Sequence, residues 1–267
     1  KFALINKLWY SNKLHTEKTI EILDNKIKFN RFCTNNSIPT PTMLAYNEGM
    51  NFFMEDKEII VKDRISFESI LNQLIHMSKT KSIFLKPIDG MQGKGCFRLQ
   101  EEELKNNSKI DELFDVLSIS KYIIQETITQ HPVLDKINPY SINTIRMDTY
   151  IKEDGTVEVL SAIMRFGRKG SVVDNSSSGG FFVPLDLKNG CLKEYGFQLL
   201  DVGNEYIFEH PDTKVKLKGF KIPYVEESKK LVKRIASLLG DRLTGWDIAI
   251  TPEGPIIIEG NHNYHIA

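Results

Sequence analysis

Trp246-Asp247-Ile248-Ala249-Ile250-Thr251-Pro252-Glu253-Gly254-Pro255-Ile256-Ile257-Ile258-Glu259-Gly260-Asn261 is the stretch on which the reading of this chain turns. Two apolar runs joined by Pro-Glu-Gly signal a hairpin. A turn centred on Glu253 pairs Thr251 with Pro255 and so sets Asp247 opposite Glu259. Directly opposed residues hold their Cβ atoms roughly 4.5–5.5 Å apart. Asn261, two residues on, points to the same face. The other face, Trp246, Ile248, Ile250, Ile256 and Ile258, reads as a core face, which argues against a solvated edge whose acids merely meet water. Like charges set opposite one another are destabilising unless a cation lies between them. The hard oxygens of two carboxylates and an amide suit Mg²⁺ or Mn²⁺ shared with phosphates, so Asp247, Glu259 and Asn261 are the candidate metal ligands.

At 267 residues the chain is long enough for one large domain or two lobes with real cores. Lys plus Arg equals Asp plus Glu at 35 each, so no global field recruits nucleic acid or an anionic membrane. Cys33, Cys96 and Cys191 are odd in number and far apart, which excludes a C-x-x-C site and favours a reducing, cytoplasmic setting. No stretch approaches the roughly 18 apolar residues of a membrane span, and no signal peptide is visible. The chain begins at Lys1, and it stops six residues after Asn261, as a fragment would.

Residues 1–35 read as mostly helical, and Asn35–Pro41 as a breaker before a short strand over 42–46. Apolar residues at 67, 70, 71, 74 and 75 have a helical period. Ser82–Pro87 is a strand that stops at its proline, and Cys96–Leu99 is a second. Between them lie Gly90, Gly93, Lys94 and Gly95, a flap whose backbone can approach a phosphate closely. It lacks the spacing of a P-loop and could equally be an ordinary glycine-rich hairpin. Lys86, charged at the end of an apolar strand beside the flap, favours anion binding. Tyr122–Ile128 is a further strand, and the two-proline segment up to Pro139 a linker. Over 140–151 the period is two, with Ile142, Thr144, Arg146, Asp148 and Tyr150 on one face. Asp154-Gly155 predicts a two-residue turn that sets Arg165 opposite Thr144 and Arg146 opposite Ile163. The two guanidiniums are then neighbours needing a bridging anion, which suits a triphosphate or acyl phosphate; otherwise they are surface arginines. Asp174, Asn175, Ser176 and Gly179 lie in a polar loop that reads as a substrate cradle or a linker. Residues 226–239 are a helix with Leu231, Val232, Ile235, Leu238 and Leu239 on its apolar side and Gly240 as its stop.

The order of these pieces resembles the ATP-grasp superfamily from about Lys26 to Asn263. The carriers are Phe84-Leu85-Lys86-Pro87, Ser141-Ile142-Asn143-Thr144-Ile145-Arg146, Val173-Asp174-Asn175 with Gly179-Gly180, Gly245–Ala249 and Ile258–Asn261. The sugar-transfer-associated branch is the most similar. The resemblance implies an α+β, ATP-grasp fold, in which two α+β lobes hold a nucleotide between antiparallel sheets. It implies that Lys86 contacts the α/β-phosphates, that Lys28 is a first phosphate-binding lysine, and that Gln125, Glu126 and Ile128 meet adenine. Asp247, Glu259 and Asn261 would hold two Mg²⁺ ions. Some ligases of the superfamily carry an Arg two residues before the metal-binding Asp, where this chain has Gly245. Charge developing in the reaction then falls to Arg146 or Arg165.

The boundaries expected are a helical segment over 1–56, a small lobe with the flap over 57–130 and a C-terminal lobe with the metal site over 131–267. The function implied is that of an ATP-dependent carboxylate–amine ligase working through an acyl phosphate. Its acceptor would be a uronic acid or amino acid in a surface-polysaccharide precursor, with the polar loop and His262 as substrate contacts. A sugar nucleotide or glycan precursor is the implied partner. A kinase acting on a hydroxyl, or a nucleotide-binding module without catalysis, would use the same residues.

Overall fold

Two side-chain caps open the described chain. Thr16 closes a capping box with Thr19 at the head of α1 (Glu17–Asp24). Asn25 accepts from the Ile27 and Lys28 amides at 3.0 Å to begin α2 (Lys26–Asn35). Both caps satisfy amides that a helix start leaves without partners. The computed structural model describes residues 14–55, 57–89, 94–168, 170, 179–198 and 205–263.

The chain divides into two units. Residues up to Thr40 join those from Gln130 onward, and Pro41–Thr129 forms the other unit. The sequence reading starts the small lobe at residue 57, whereas the structure already includes β1 (Met43–Glu48) and β2 (Asn51–Met54) in its sheet. Burial explains the difference, because Leu44, Ala45, Phe52 and Met54 lie in that unit's core.

With β3 (Lys57–Ile60), β4 (Ser82–Pro87), β5 (Phe97–Gln100) and β6 (Lys121–Glu126), the smaller unit builds a six-stranded antiparallel sheet in the order β3-β2-β1-β6-β4-β5. Helix α3 (Arg64–Met77) starts on an Asp63 capping box. It buries Phe67, Ile70, Leu71, Leu74 and Ile75, the spacing expected of its apolar stripe. Helix α4 (Asn107–Ile119) adds Ile110, Leu113 and Leu117 to the same core.

The larger unit continues with α5 (Pro132–Asp135), β7 (Thr144–Ile151), β8 (Val157–Phe166), β9 (Phe181–Asp186), β10 (Cys191–Leu192), β11 (Gly196–Phe197), β12 (Tyr206–Ile207), α6 (Val225–Leu239), β13 (Leu243–Thr251) and β14 (Gly254–Asn261). Its strands pair antiparallel in the order β12-β11-β9-β8-β7-β13-β14, with β10 paired to β9. Helix α6 and one face of this sheet share a core that includes Val232, Ile235, Met147, Met164, Trp246 and Ile248. Leu238, expected on the helix's apolar side, is 45% exposed. The buried stripe includes 225, 228, 231, 232, 235, 236 and 239, and position 238 lies just beyond its edge, about 20° past Leu231.

Two one-residue slips shape the central hairpins, and each is cancelled before it reaches the polar residues. The β7–β8 connection is a three-residue loop, Glu153-Asp154-Gly155, not the two-residue turn expected: Ile151 pairs with Val157 and Gly155 takes φ +81°. A bulge then restores the expected register, since Thr149 pairs with Val159 but Asp148 with Ser161 and Arg146 with Ile163. At β13–β14 the turn is Pro252-Glu253, so Thr251 faces Gly254 rather than Pro255. Gly254 adopts φ +131° there, which favours glycine. A bulge between Ile257 and Glu259 brings Asp247 opposite Glu259 after all. Between turn and bulge the faces are exchanged: Ile257 is buried in the core, whereas Ile256 and Ile258, expected there, are only half-buried.

Candidate functional site

One face of the larger sheet is polar by construction. Register places Thr144, Arg146 and Asp148 of β7 beside Ser161 and Arg165 of β8 on one flank, and beside Gly245 and Asp247 of β13 on the other. Glu259 and Asn261 of β14 extend the same face. Asp247 is its hub and is 5% exposed. Arg146 grips it bidentately, Nε on Oδ1 and Nη2 on Oδ2 at 2.9 Å. Arg165 Nη2 reaches Oδ2 at 2.9 Å, while its Nε and Nη2 also donate to Thr144 Oγ1 at 2.9 and 2.8 Å. Asp148 accepts from the Ser161 hydroxyl.

Burial alone would neutralise these groups. It raises the Asp247 pKa, but the Arg146 and Arg165 charges outweigh it and hold the carboxyl below its ordinary range. Burial likewise opposes the Arg146 charge, and Asp247, with Asp148 and Glu259 adding their fields, holds the guanidinium more firmly protonated than usual. The two arginines lie side by side, and Asp247 is ion-paired with both.

The expected metal set is two carboxylates and an amide. Glu259 stands directly across from Asp247 and Asn261 across from Gly245, on the same face. Asn261 Nδ2 lies 3.5 Å from the Gly245 carbonyl. The donor chemistry fits a hard divalent cation. Asp247, however, already accepts two N–H bonds from Arg146 and is ion-paired with Arg165 at 2.9 Å. Among the described residues no three His, Cys, Asp or Glu side chains are grouped to hold a metal.

In the smaller unit, Lys86 lies opposite Ile123 and Phe84 opposite Gln125, so these four share one sheet face. The Lys86 ammonium sits 5.7 Å from the centre of the Phe84 ring. Gln125 is buried, with Nε2 3.4 Å from the Pro41 carbonyl. The Glu126 carboxylate accepts from the Lys79 amide at 2.9 Å, and Ile128 follows the strand, half-buried. Gly90 and Gly93 lie outside the described residues. Lys94 is exposed, and Gly95 (φ +70°) is pinned by the Tyr122 hydroxyl, which donates to its carbonyl at 2.9 Å.

Lys28 belongs to the larger unit, exposed on α2 and ion-paired with Glu21. His262, just past Asn261, has Nε2 2.9 Å from Asp24 Oδ1, and its ring packs edge-on to His15 at 5.3 Å. Gly179 (φ +84°) accepts from Gln198 at 3.3 Å, while Asp174, Asn175 and Ser176 lie outside the described residues. The segment read as a linker is instead a wired corner. Asn143 donates to Gln130 Oε1 from its backbone at 2.7 Å and its side chain at 2.8 Å, and Asn138 donates to Asn143 at 2.8 Å. This buried amide network sets the start of β7, which carries Thr144 and Arg146. Thr144, Asp148 and Ser161 were not among the candidate residues. The period-two pattern had already placed the first two on the arginine face.

A family model described as sugar-transfer associated ATP-grasp matches residues 6–267. The chain belongs to that family. Solved structures agree on an ATP-grasp fold of the α+β class. D-alanyl-alanine synthetase A from Vibrio cholerae is 12% identical, with a TM-score of 0.52 over 91% of this chain and 56% of that one. The ATP-grasp ligase PsnB, complexed with a phosphomimetic precursor variant, Mg and ADP, is 14% identical, with a TM-score of 0.51 over 95% and 54%. An L-amino acid ligase from Bacillus licheniformis is 14% identical, with a TM-score of 0.50 over 91% and 41%. This ATP-grasp chain thus spans about half the length of the solved chains it matches. No curated protein sequence matches it. Among the described residues, no helix is long and apolar enough to cross a membrane.

Proposed function

We propose that this ATP-grasp protein is an ATP-dependent carboxylate–amine ligase that modifies a uronic acid or amino acid in a surface-polysaccharide precursor. The observation that carries the reading is the polar sheet face. It holds two guanidiniums, Arg146 and Arg165, beside Asp247, Glu259 and Asn261, in a chain whose family is associated with sugar transfer.

A substrate carboxylate attacks the γ-phosphorus of ATP, ADP leaves, and the acyl phosphate is attacked by an amine. The amide, inorganic phosphate and a proton are released. Such transfers depend on positioning and on neutralising charge. Lys86 would bind the α/β-phosphates, and Gly90, Gly93, Lys94 and Gly95 would cover them and keep water from the acyl phosphate. Gln125, Glu126 and Ile128 would border adenine. Arg146 and Arg165 would offset charge on the transferring phosphoryl group and the tetrahedral intermediate. Asp247, Glu259 and Asn261 are the residues that would hold Mg²⁺, which when bound supplies further neutralisation of the phosphates. Asp174, Asn175, Ser176, Gly179 and His262 are the proposed substrate contacts.

Hydroxylamine supplied with ATP and a panel of uronic and amino acids tests the reaction. A ligase yields hydroxamate and free phosphate for one of the acids. A stable phosphorylated product without free phosphate would make the protein a kinase. ATP binding that survives Asp247→Asn and Glu259→Gln, with no turnover in any form, would make it a non-catalytic module.

A further inference from the structure

The polar sheet face does not end at Arg165. On the next strand, β9, Phe182 stands directly across from it; on β11 Phe197 stands across from Phe182, and on β12 Tyr206 stands across from Phe197. Alternation adds Tyr195 and Phe208 to the same side. The reverse side is core. Ile207 is buried there, and a Cβ on Gly196 would lie 2.9 Å from the Val183 side chain and 3.0 Å from the Phe181 ring.

Five aromatic side chains therefore gather on one stretch of the face. The Tyr195 ring lies 4.9 Å from Tyr206, 5.1 Å from Phe197 and 5.8 Å from Phe208, edge-on to each, and Phe182 lies 5.8 Å from Phe197. Tyr206 and Phe208 are nonetheless 63% and 58% exposed. Rings braced against one another offer large, rigid contact surfaces that lose little freedom on binding. Large apolar side chains left exposed together mark an interaction site.

The composition of the patch selects its occupant. Among the described residues of β9, β11 and β12, alternation puts no branched aliphatic side chain on this face, so it presents flat rings and not slots for Leu or Ile. The charges beside it come in opposite pairs, Lys193 with Asp186 at 3.0 Å and Lys218 with Glu194 at 2.8 Å, which gives no cationic field to draw an anionic membrane. A pyranose matches both properties. Its C–H side lies flat on a ring, and its hydroxyls, each a donor and an acceptor, can meet charges of either sign at the rim. From Arg165 to Tyr206 is three strand spacings, about 14 Å, more than one sugar ring covers.

Resting on the ligase reading above, we propose that the acceptor is an oligosaccharide of two or more rings. Its reacting sugar lies toward Arg165, and the sugars behind it stack on Phe197, Tyr206 and Phe208. The platform then selects an assembled glycan over a free monosaccharide or amino acid.

The test is calorimetric binding of uronic-acid-containing oligosaccharides of increasing length, from the single sugar upward, to the nucleotide-free full chain. At least one series should bind, and more tightly once a second ring is present. Tyr206→Ala and Phe208→Ala should each weaken the longer ligand by about three- to tenfold, while Tyr206→Phe, which keeps the ring, should bind as the unaltered protein does. Both side chains are more than half exposed, so their removal leaves Ile207 and the core in place. Failure of every longer glycan to bind, or full affinity in both alanine variants, overturns the proposal. Should those variants not fold, the length series on the unaltered protein decides, and affinity that does not rise beyond one ring overturns it. A dimer, or binding to phosphatidylglycerol vesicles, that is lost in Tyr206→Ala would give the patch to a second copy or a membrane and overturn it as well. The readout needs no nucleotide. Ring-dependent glycan binding without hydroxamate formation would leave the platform standing and remove the ligase reading, whereas hydroxamate from single sugars with no binding of longer ones would remove the platform alone.

Discussion

Arg146→Met should unfold the larger unit at markedly lower denaturant, because it strips Asp247 of its bidentate partner in a place with little water. Breaking a buried ion pair by removing one partner costs about 3–5 kcal/mol. Here Arg165 stays 2.9 Å from Oδ2 and offsets part of that, while methionine fills much of the vacated stem volume. About 3 kcal/mol is therefore expected near neutral pH, or roughly 6–12 °C in melting temperature at about 2–4 °C per kcal/mol for a domain of 150–250 residues. Urea titration followed by Trp246 fluorescence reads it, since that indole is fully buried in the residue preceding Asp247. The loss also has a pH signature. Asp247 has a folded pKa below its unfolded 3.8, so its contribution is complete above that value and fades as pH falls through the folded pKa. The difference between the two proteins should therefore shrink in acid. Arg146→Met combined with Asp247→Asn should cost less than the sum of the single changes, the mark of a coupled pair. A loss under about 1 kcal/mol at pH 7, or strict additivity, would refute a buried ionic hub, because either is what a solvent-screened surface pair gives.

Three further outcomes follow from other parts of the molecule. Burial lowers the pKa of His210, whose Nε2 meets the Gly167 carbonyl at 3.1 Å and whose Nδ1 faces the Asp212 amide at 3.2 Å. Its contribution is present above the unfolded value of 6.5 and lost as pH falls toward the folded pKa, so urea midpoints should drop below pH 6.5 and His210→Gln should flatten that slope. Gly260→Ala would set a methyl 2.7 Å from Leu23 Cδ2 and 2.8 Å from Trp246 Cζ3. About 1–3 kcal/mol of overpacking is expected by calorimetry, and Leu23→Ala in the same chain should relieve part of it. Burial pushes the Cys33 thiol up to about 12. A thiol reagent at pH 8 should therefore titrate Cys96 and Cys191 in the native protein and Cys33 only in denaturant.

The fold was legible wherever a periodic signal coincided with a packing requirement. The α3 stripe and the shared face of Asp247, Glu259 and Asn261 follow from period and alternation, and the end of β4 from its proline. The hairpins are more instructive. Counting outward from Pro-Glu-Gly and Asp-Gly gives the right partners for Asp247 and Arg146 although both turns differ from the ones assumed. Each extra or missing loop residue is repaid by a bulge within the strand. The bulges have a physical reason. A one-residue slip carried through would turn Asp247 or Arg146 toward Trp246 and Met147 in the core, where an unpaired charge is far costlier than a local break in the ladder. What the pattern could not supply was the position of the break, and Ile256, Ile257 and Ile258 changed faces as a result.

Charge pairing on the polar face was beyond the sequence for a different reason. Alternation says which side chains share a face but not which charges cancel, since that depends on strand order. Arg146 and Arg165 looked like a pair in want of an anion while β7 and β8 were considered alone. Once β13 inserts between β7 and β14, Asp247 lies beside Arg146 and within reach of Arg165, and the want is met within the sheet. The same insertion changes the account of Asp247 and Glu259. Two acids opposed on an isolated hairpin need a cation between them, whereas on a four-strand neighbourhood bearing Arg146 and Arg165 they already have cations beside them. An opposed acid pair is therefore not by itself a sign of a waiting metal. It becomes one only if a cation can compete with the arginines for Asp247, so an Mn²⁺ titration in the presence of ADP, with Asp247→Asn as the control, rather than the presence of Asp247 and Glu259, separates a working cation site from a self-neutralised sheet face.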